Sequence, residues 1–234
     1  MKYAFVDSRI SSDEILNLKA LNCDVILCEP CDELYDAICG HPDILLHFIN
    51  NGKVIIHKNS SNFFEKKLLA LGIEVLRSQS LLTPKYPSDI ILNAVNTTNF
   101  FLHNINHTDK RLLQEIAPKK LINVNQGYTK CSTVILSEKA FITSDNSIYT
   151  TLINLGYDVL LLPPGDILLP GLDYGFIGGT CGMLNSDTIV FYGNLNSYSH
   201  GNMVKAFLEK HNITPIYLSN SPLIDRGSIF FIDL

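Results

Sequence analysis

Residues 40–76 read GHPDILLHFINNGKVIIHKNSSNFFEKKLLALGIEVL, and the order of patterns within them decides the fold. An apolar run meets the turn Asn50-Asn51-Gly52 and is followed by a second apolar run, KVIIH. Asn-Gly between two such runs signals a β-hairpin, because the tight turn needs residues that tolerate positive φ. SSNFFEKKLLALG then reads as a helix, with Phe63, Phe64, Leu68 and Leu71 at helical spacing and Gly72 as a stop. IEVL closes the stretch as a third strand. The unit is β-β-α-β.

The same order returns three times. At 86–124, YPSDIILNAVNTTNFFLHN reads as the hairpin, HTDKRLLQEI as the helix and KLINV as the strand. At 130–162 the parts are KCSTVILSEKAFITSD, NSIYTTLINLG and YDVLLL. At 181–218 they are CGMLNSDTIVFYGN, SHGNMVKAFLEKHN and ITPIYL. The two ends supply a fifth copy. YAFVDSR, SSDEILNLKALN and DVILC lack only a first hairpin strand, and the C-terminal GSIFFIDL is a strand without a partner. Pairing residues 227–234 with residues 2–8 completes the unit. Repetition around an axis, joined in this way, protects sheet edges that would otherwise be exposed. The expectation is one domain over 1–234: a five-bladed α/β propeller closed by its terminal strands. The alternative is an open α/β sheet with scattered hairpins.

The 234 residues are 46% hydrophobic and 18% charged, an ordinary globular composition with apolar mass for a core. A net charge of −5 without a basic cluster argues against a nucleic-acid partner. The opening MKYAFVDSRISSDEI has no signal-peptide pattern, and the apolar stretch DVLLLPPGDILLPG is broken by prolines and an aspartate. A cytoplasmic protein with no membrane partner is expected. The longest irregular stretch, PPGDILLPGLDYGFIGGTCG at 163–182, is a loop of functional length. Neither a cofactor nor a metal is expected. The run Cys23-x4-Cys28-x2-Cys31, with Cys39 beyond it, has the spacing of a plant-type iron–sulfur motif. However, DVIL between the first two cysteines reads as a strand, which would hold their thiols apart.

The repeats, together with HPDILLH, NVNQGYTKC, PPGDILLPGLDYGFIGG and PLIDRGSIFF, resemble an uncharacterised bacterial family with the pentein fold of the guanidino-group-modifying enzymes. That superfamily includes arginine and agmatine deiminases and dimethylarginine dimethylaminohydrolase. The resemblance implies that active-site residues stand at hairpin starts, with the nucleophilic Cys two units from a catalytic His. Here the hairpin starts are DRGS, GHPD, YPSD, TKCS and GTCG. It implies Cys131 as nucleophile, His41 as acid/base and Asp225 as the orienting carboxylate, in a permuted chain. Asp7, Asp43, Asp89, Asn93, Arg226 and Gly179 are the substrate-binding candidates. The unit after the cysteine carries no carboxylate where the enzymes have one, and Asp173 in the preceding loop is the available substitute.

The residue types fit this chemistry. A guanidinium carbon is a poor electrophile, and thiolate attack splits its displacement into easier steps. A neighbouring imidazolium lowers a thiol's pKa and can then protonate the departing amine. Carboxylates accept paired hydrogen bonds from a planar cation. The expected function is Cys-dependent hydrolysis or transfer on a guanidine- or amidine-type small molecule. The alternative is a non-catalytic binding module on the same fold, with Cys131 as apolar filler and the aspartates as turn formers.

Overall fold

The computed structural model describes all 234 residues. It contains five separate three-stranded sheets, each with the same internal order. In the second unit β3 (Leu46–Asn50) and β4 (Lys53–Ile56) form an antiparallel hairpin, α3 (Asn62–Ala70) crosses over, and β5 (Glu74–Arg77) pairs parallel to β4. A single helical turn, α2 (Pro42–Leu45), precedes β3. The third unit is β6 (Val95–Asn96), β7 (Phe100–His103), α4 (Lys110–Glu115) and β8 (Lys120–Asn123). The fourth is β9 (Thr133–Ile135), β10 (Ala140–Thr143), α5 (Asn146–Asn154) and β11 (Asp158–Leu161), and the fifth is β12 (Cys181–Met183), β13 (Thr188–Phe191), α6 (Gly201–Lys210) and β14 (Thr214–Tyr217).

The first unit is split between the chain ends. β1 (Lys2–Asp7) pairs parallel with β2 (Cys23–Cys28) across α1 (Ser12–Ala20), and antiparallel with β15 (Phe230–Asp233). The register Lys2↔Asp233 to Phe5↔Phe230 fastens the two termini together.

The helices lie outside the sheets, each burying one short stripe. Leu18 of α1, Phe64 and Leu68 of α3, Ile148 and Leu152 of α5, and Val204 and Leu208 of α6 point inward. The i, i+4 spacing places each pair on one helix face. Phe63 departs from the sequence reading: it faces solvent at 73% exposure. Side-chain caps start the helices at Ser11, Ser61, Asp109 and Asp145.

The first strand of every sheet faces a shared central cavity of about 930 Å³. Just before those strands, five hydrogen bonds run from unit to unit. Asp43 N donates to Gly227 O (3.1 Å), Asn93 Nδ2 to Asp43 O (3.0 Å) and Lys130 N to Asn93 O (3.2 Å). Gly179 N donates to Cys131 O (3.1 Å), and Ser228 N to Gly179 O (2.9 Å). The five contacts complete a circuit around the axis, with Asp43, Asn93, Cys131, Gly179 and Ser228 at equivalent positions. One boundary of the sequence reading moves: the third hairpin begins at Val95, so the ring residue of that unit is Asn93 and not Asp89.

Candidate functional site

Cys131 enters the ring ahead of β9 and is fixed by its neighbours on two sides. Asn93 Oδ1 accepts from the backbone amides of Lys130 (2.8 Å) and Cys131 (3.2 Å). Its Nδ2 donates to Asp43 O and lies 3.1 Å from Cys131 Sγ. Every polar group of this buried amide is used, so its orientation is locked. The Cys131 thiol lies 3.1 Å from both carboxylate oxygens of Asp43. Asp43 also accepts from Ser228 Oγ at 2.7 Å, and Ser228 Oγ accepts from Lys130 Nζ at 2.9 Å.

His41 is the N-cap of α2, where the Pro42 ring presets the helical φ of the next residue and pushes His41 into an extended conformation. Its ring is 1% exposed; Nδ1 has no hydrogen-bond partner and lies 3.8 Å from Asp225 Oδ1. Asp225 is itself anchored, Oδ2 accepting from Phe176 N (2.8 Å) and Oδ1 from Gly227 N (3.0 Å). One nitrogen of His41, one oxygen of Asp43 and Cys131 Sγ lie within 4.8 Å of one another. These three atoms also form a donor set suited to a zinc-type ion.

Negative charge dominates the cluster. Burial pushes the Cys131 thiol well above its ordinary pKa, and the charges of Asp43 and Asp225 push it further. Burial also raises Asp225, with His41 opposing the shift. At neutral pH the thiol is therefore protonated and donates its hydrogen to Asp43. A third buried carboxylate, Asp89, accepts from Tyr128 Oη at 2.5 Å through Oδ2, while its Oδ1 has no partner. Tyr128 in turn meets Tyr35 hydroxyl to hydroxyl at 3.2 Å and stacks with Phe176 at 6.1 Å between ring centroids.

The other residues singled out from sequence are engaged elsewhere. Asp7 is held by Arg9, whose Nε donates to Oδ1 at 2.9 Å and whose Nη2 lies 2.5 Å from Oδ2. Arg226 turns outward to Arg9 O (2.9 Å) and Glu14 (3.4 Å). Gly179 spends its amide on Cys131 O and its carbonyl on the amides of Arg226 and Ser228, so it offers no free amide to an anion. Its lack of a side chain has a local cause: a Cβ there would fall 1.8 Å from Asp225 Oδ1. Asp225 of the first unit thus occupies the space that a side chain at Gly179 of the fifth would take. Cys23 and Cys28 occupy opposite ends of β2, and Cys31 turns instead to Glu33 (3.0 Å) and His57 (3.9 Å). The sequence reading gave no role to Ser228, Lys130, Tyr35 or Tyr128. The one unusual local feature among them, φ of 71° at Ser228, leaves no trace in sequence.

The fold of five β-β-α-β units around this ring is that of the pentein proteins. The chain belongs to a family of unknown function, DUF6873, which it matches over residues 5–230. No functionally curated protein matches its sequence. Among solved structures it is similar to SxtG, an amidinotransferase of the saxitoxin biosynthetic pathway from Microseira wollei, with TM-score 0.59 and 12% identity, covering 93% of this chain and 88% of that one. It is also similar to the inosamine-phosphate amidinotransferase of Streptomyces griseus, with TM-score 0.60, 12% identity and coverage of 92% and 77%. Agmatine deiminase of C. jejuni gives TM-score 0.51, 13% identity and coverage of 94% and 90%. At such identities the likeness is one of fold.

Proposed function

We propose that this protein is a cysteine-dependent enzyme acting at the central carbon of a guanidinium or amidinium group on a small molecule. The observation that carries the reading is the convergence of Cys131 Sγ, a His41 nitrogen and an Asp43 oxygen within 4.8 Å, although Cys131 comes from the fourth unit and the other two from the second. The chemistry of the relatives in fold supports it.

The surplus of buried carboxylates calls for a cation. A planar amidinium seated between Asp43 and Asp89 would satisfy the unpartnered Asp89 oxygen and offset the charges that hold the Cys131 thiol protonated. The Cys131 thiol passes its proton to His41, and the thiolate attacks the amidinium carbon, forming a C–S bond. Collapse of the tetrahedral adduct breaks the C–N bond, and the departing amine takes a proton from His41. His41, oriented by Asp225, next removes a proton from water or from an acceptor amine, whose attack releases Cys131. Water would make the protein a hydrolase and an amine would make it a transferase. Tyr35, Tyr128 and Phe176 form an aromatic wall suited to the face of a planar cation.

The second reading, a binding module, draws on the raised thiol pKa, which opposes a resting nucleophile. Labelling separates the two. Chloroacetamidine, a cation, should alkylate Cys131 at pH 7.5 faster than neutral iodoacetamide does; equal rates for both reagents at all reactive thiols would favour the binding module. A screen of guanidines for ammonia, urea or amine release should lose all turnover in Cys131→Ala.

A further inference from the structure

None of Tyr35, Tyr128 and Phe176 lines the central cavity, and the reaction proposed above makes no use of it. Its volume of about 930 Å³ is in the range of small-molecule sites. Its walls are mostly apolar, with Phe48, Val134, Leu136, Met183 and Phe230 among them. Two lysines reach the lining, and they differ. Lys119 Nζ is held by Asn96 Oδ1 (2.7 Å) and Thr97 O (2.6 Å). Lys130 Nζ has a single hydrogen bond, to Ser228 Oγ at 2.9 Å, and lies 5.5 Å from the centroid of the Phe230 ring. No carboxylate comes within ion-pairing distance of it. An ammonium can make three hydrogen bonds, so Lys130 has capacity to spare.

His47 also contributes to the lining, but its ring is buried against Leu92 and Phe101. Its Nδ1 is 3.0 Å from the Leu92 carbonyl, which fixes the proton on that nitrogen. Nε2 is then a lone-pair acceptor, and it is buried without a partner. Burial lowers the pKa of this ring to about 4, so it stays neutral and keeps that acceptor at physiological pH. Glu138 is the only carboxylate on the lining, and it is occupied by Thr98 N (3.0 Å) and Asn99 Nδ2 (3.1 Å). An unpaired cation and apolar walls in one cavity describe the complement of a particular chemical class.

We propose that the central cavity is a second ligand site, taking a small organic carboxylate with an apolar body, with Lys130 holding the carboxylate. Lys130 also reaches Asp43 through Ser228, so the occupant would sit three hydrogen bonds from the carboxylate that holds the Cys131 thiol. Binding is read without turnover, so the outcome stands apart from the reaction proposed at Cys131.

Calorimetry with 4-hydroxyphenylacetate, indole-3-acetate and 2-hydroxyisocaproate tests this, with tyramine as the cationic counterpart of the first. At least one carboxylate should bind while tyramine does not. Lys130→Met should weaken that binding about tenfold or more, the usual scale for a charge-assisted hydrogen bond. Lys130→Arg should restore part of it, and Ile49→Trp, which fills the lining from β3, should abolish it. Tyr35→Phe, which is not on the lining, should leave it unchanged. The proposal is overturned if no carboxylate binds at millimolar concentration or if tyramine binds equally. It is also overturned if affinity survives Lys130→Met or, where that variant does not fold, survives Ile49→Trp.

Discussion

Cys131 shares its hydrogen with a carboxylate 3.1 Å away, and that contact governs its reactivity. Replacing Asp43 by Asn removes the nearest negative charge, so the thiol pKa should fall. Iodoacetamide should then alkylate Cys131 about tenfold faster at pH 8, the size of a shift of roughly one pH unit. The cationic reagent should lose its advantage in the same variant, because its electrostatic partner is gone. Peptide-level mass spectrometry against time reads both rates. Gly179→Ala tests the other half of the cluster. Its Cβ would overlap Asp225 Oδ1, and relief requires that carboxylate to move from His41. We expect a loss of about 1–3 kcal/mol in urea unfolding, the range for overpacked buried sites.

At the scale of elements, the helix starts carry unequal loads. Ser11 closes a capping box with Glu14 on α1, so Ser11→Ala should cost about 1 kcal/mol. Asp109 caps α4 through Arg111 N (2.9 Å) and Leu112 N, and its other oxygen accepts from Ser80 N at 2.8 Å. Asp109→Ala releases a loop as well as a helix end, and about 2 kcal/mol is expected from the same measurement. Ser228 differs again, holding a φ of 71° while donating to Asp43. Ala there keeps the backbone strain and loses the hydroxyl; Gly loses the hydroxyl but relieves the strain. Ser228→Ala should therefore be less stable than Ser228→Gly, by roughly 1 kcal/mol.

The whole molecule hides its titratable groups, and its stability should show this. Burial lowers His47 and His57 to about 4 and His103 to about 3. The unfolded chain protonates these rings near pH 6.5 and the native state does not, so stability falls as pH drops below about 6.5. Asp225, shifted upward, works against this, but it is one group against three. At the other end all six thiols are raised by burial. The native state keeps protons that the unfolded chain releases near pH 8.5, so stability falls again above that value. Melting temperature against pH should form a plateau between about pH 6.5 and 8.5; a maximum near pH 5 would contradict the assignment. Deleting residues 228–234 removes β15, bares the edge of β1 and breaks the circuit at Ser228, and soluble folded protein should be lost.

The sequence by itself determined the repeat. Alternating runs, Asn-Gly at 51–52, capping residues and inward stripes are local signals, and local signals survive in one dimension. The split first unit was legible for the same reason, because an unpartnered strand at each end has one economical solution. Phe63 and the start of the third hairpin were misread, since helical spacing does not say which way an end residue faces and β6 has only two residues. The site was legible only in part. Cys131, His41 and Asp225 were candidates only through the family resemblance laid over the repeat, and their separations could not be read from it. That Asp7 belongs to Arg9, that Asp225 fills the space over Gly179, and that Lys130 faces a cavity rather than a carboxylate were decided by tertiary structure alone. These are contacts between units, set by how five similar pieces rotate about one axis, and no single piece carries that rotation in its own pattern.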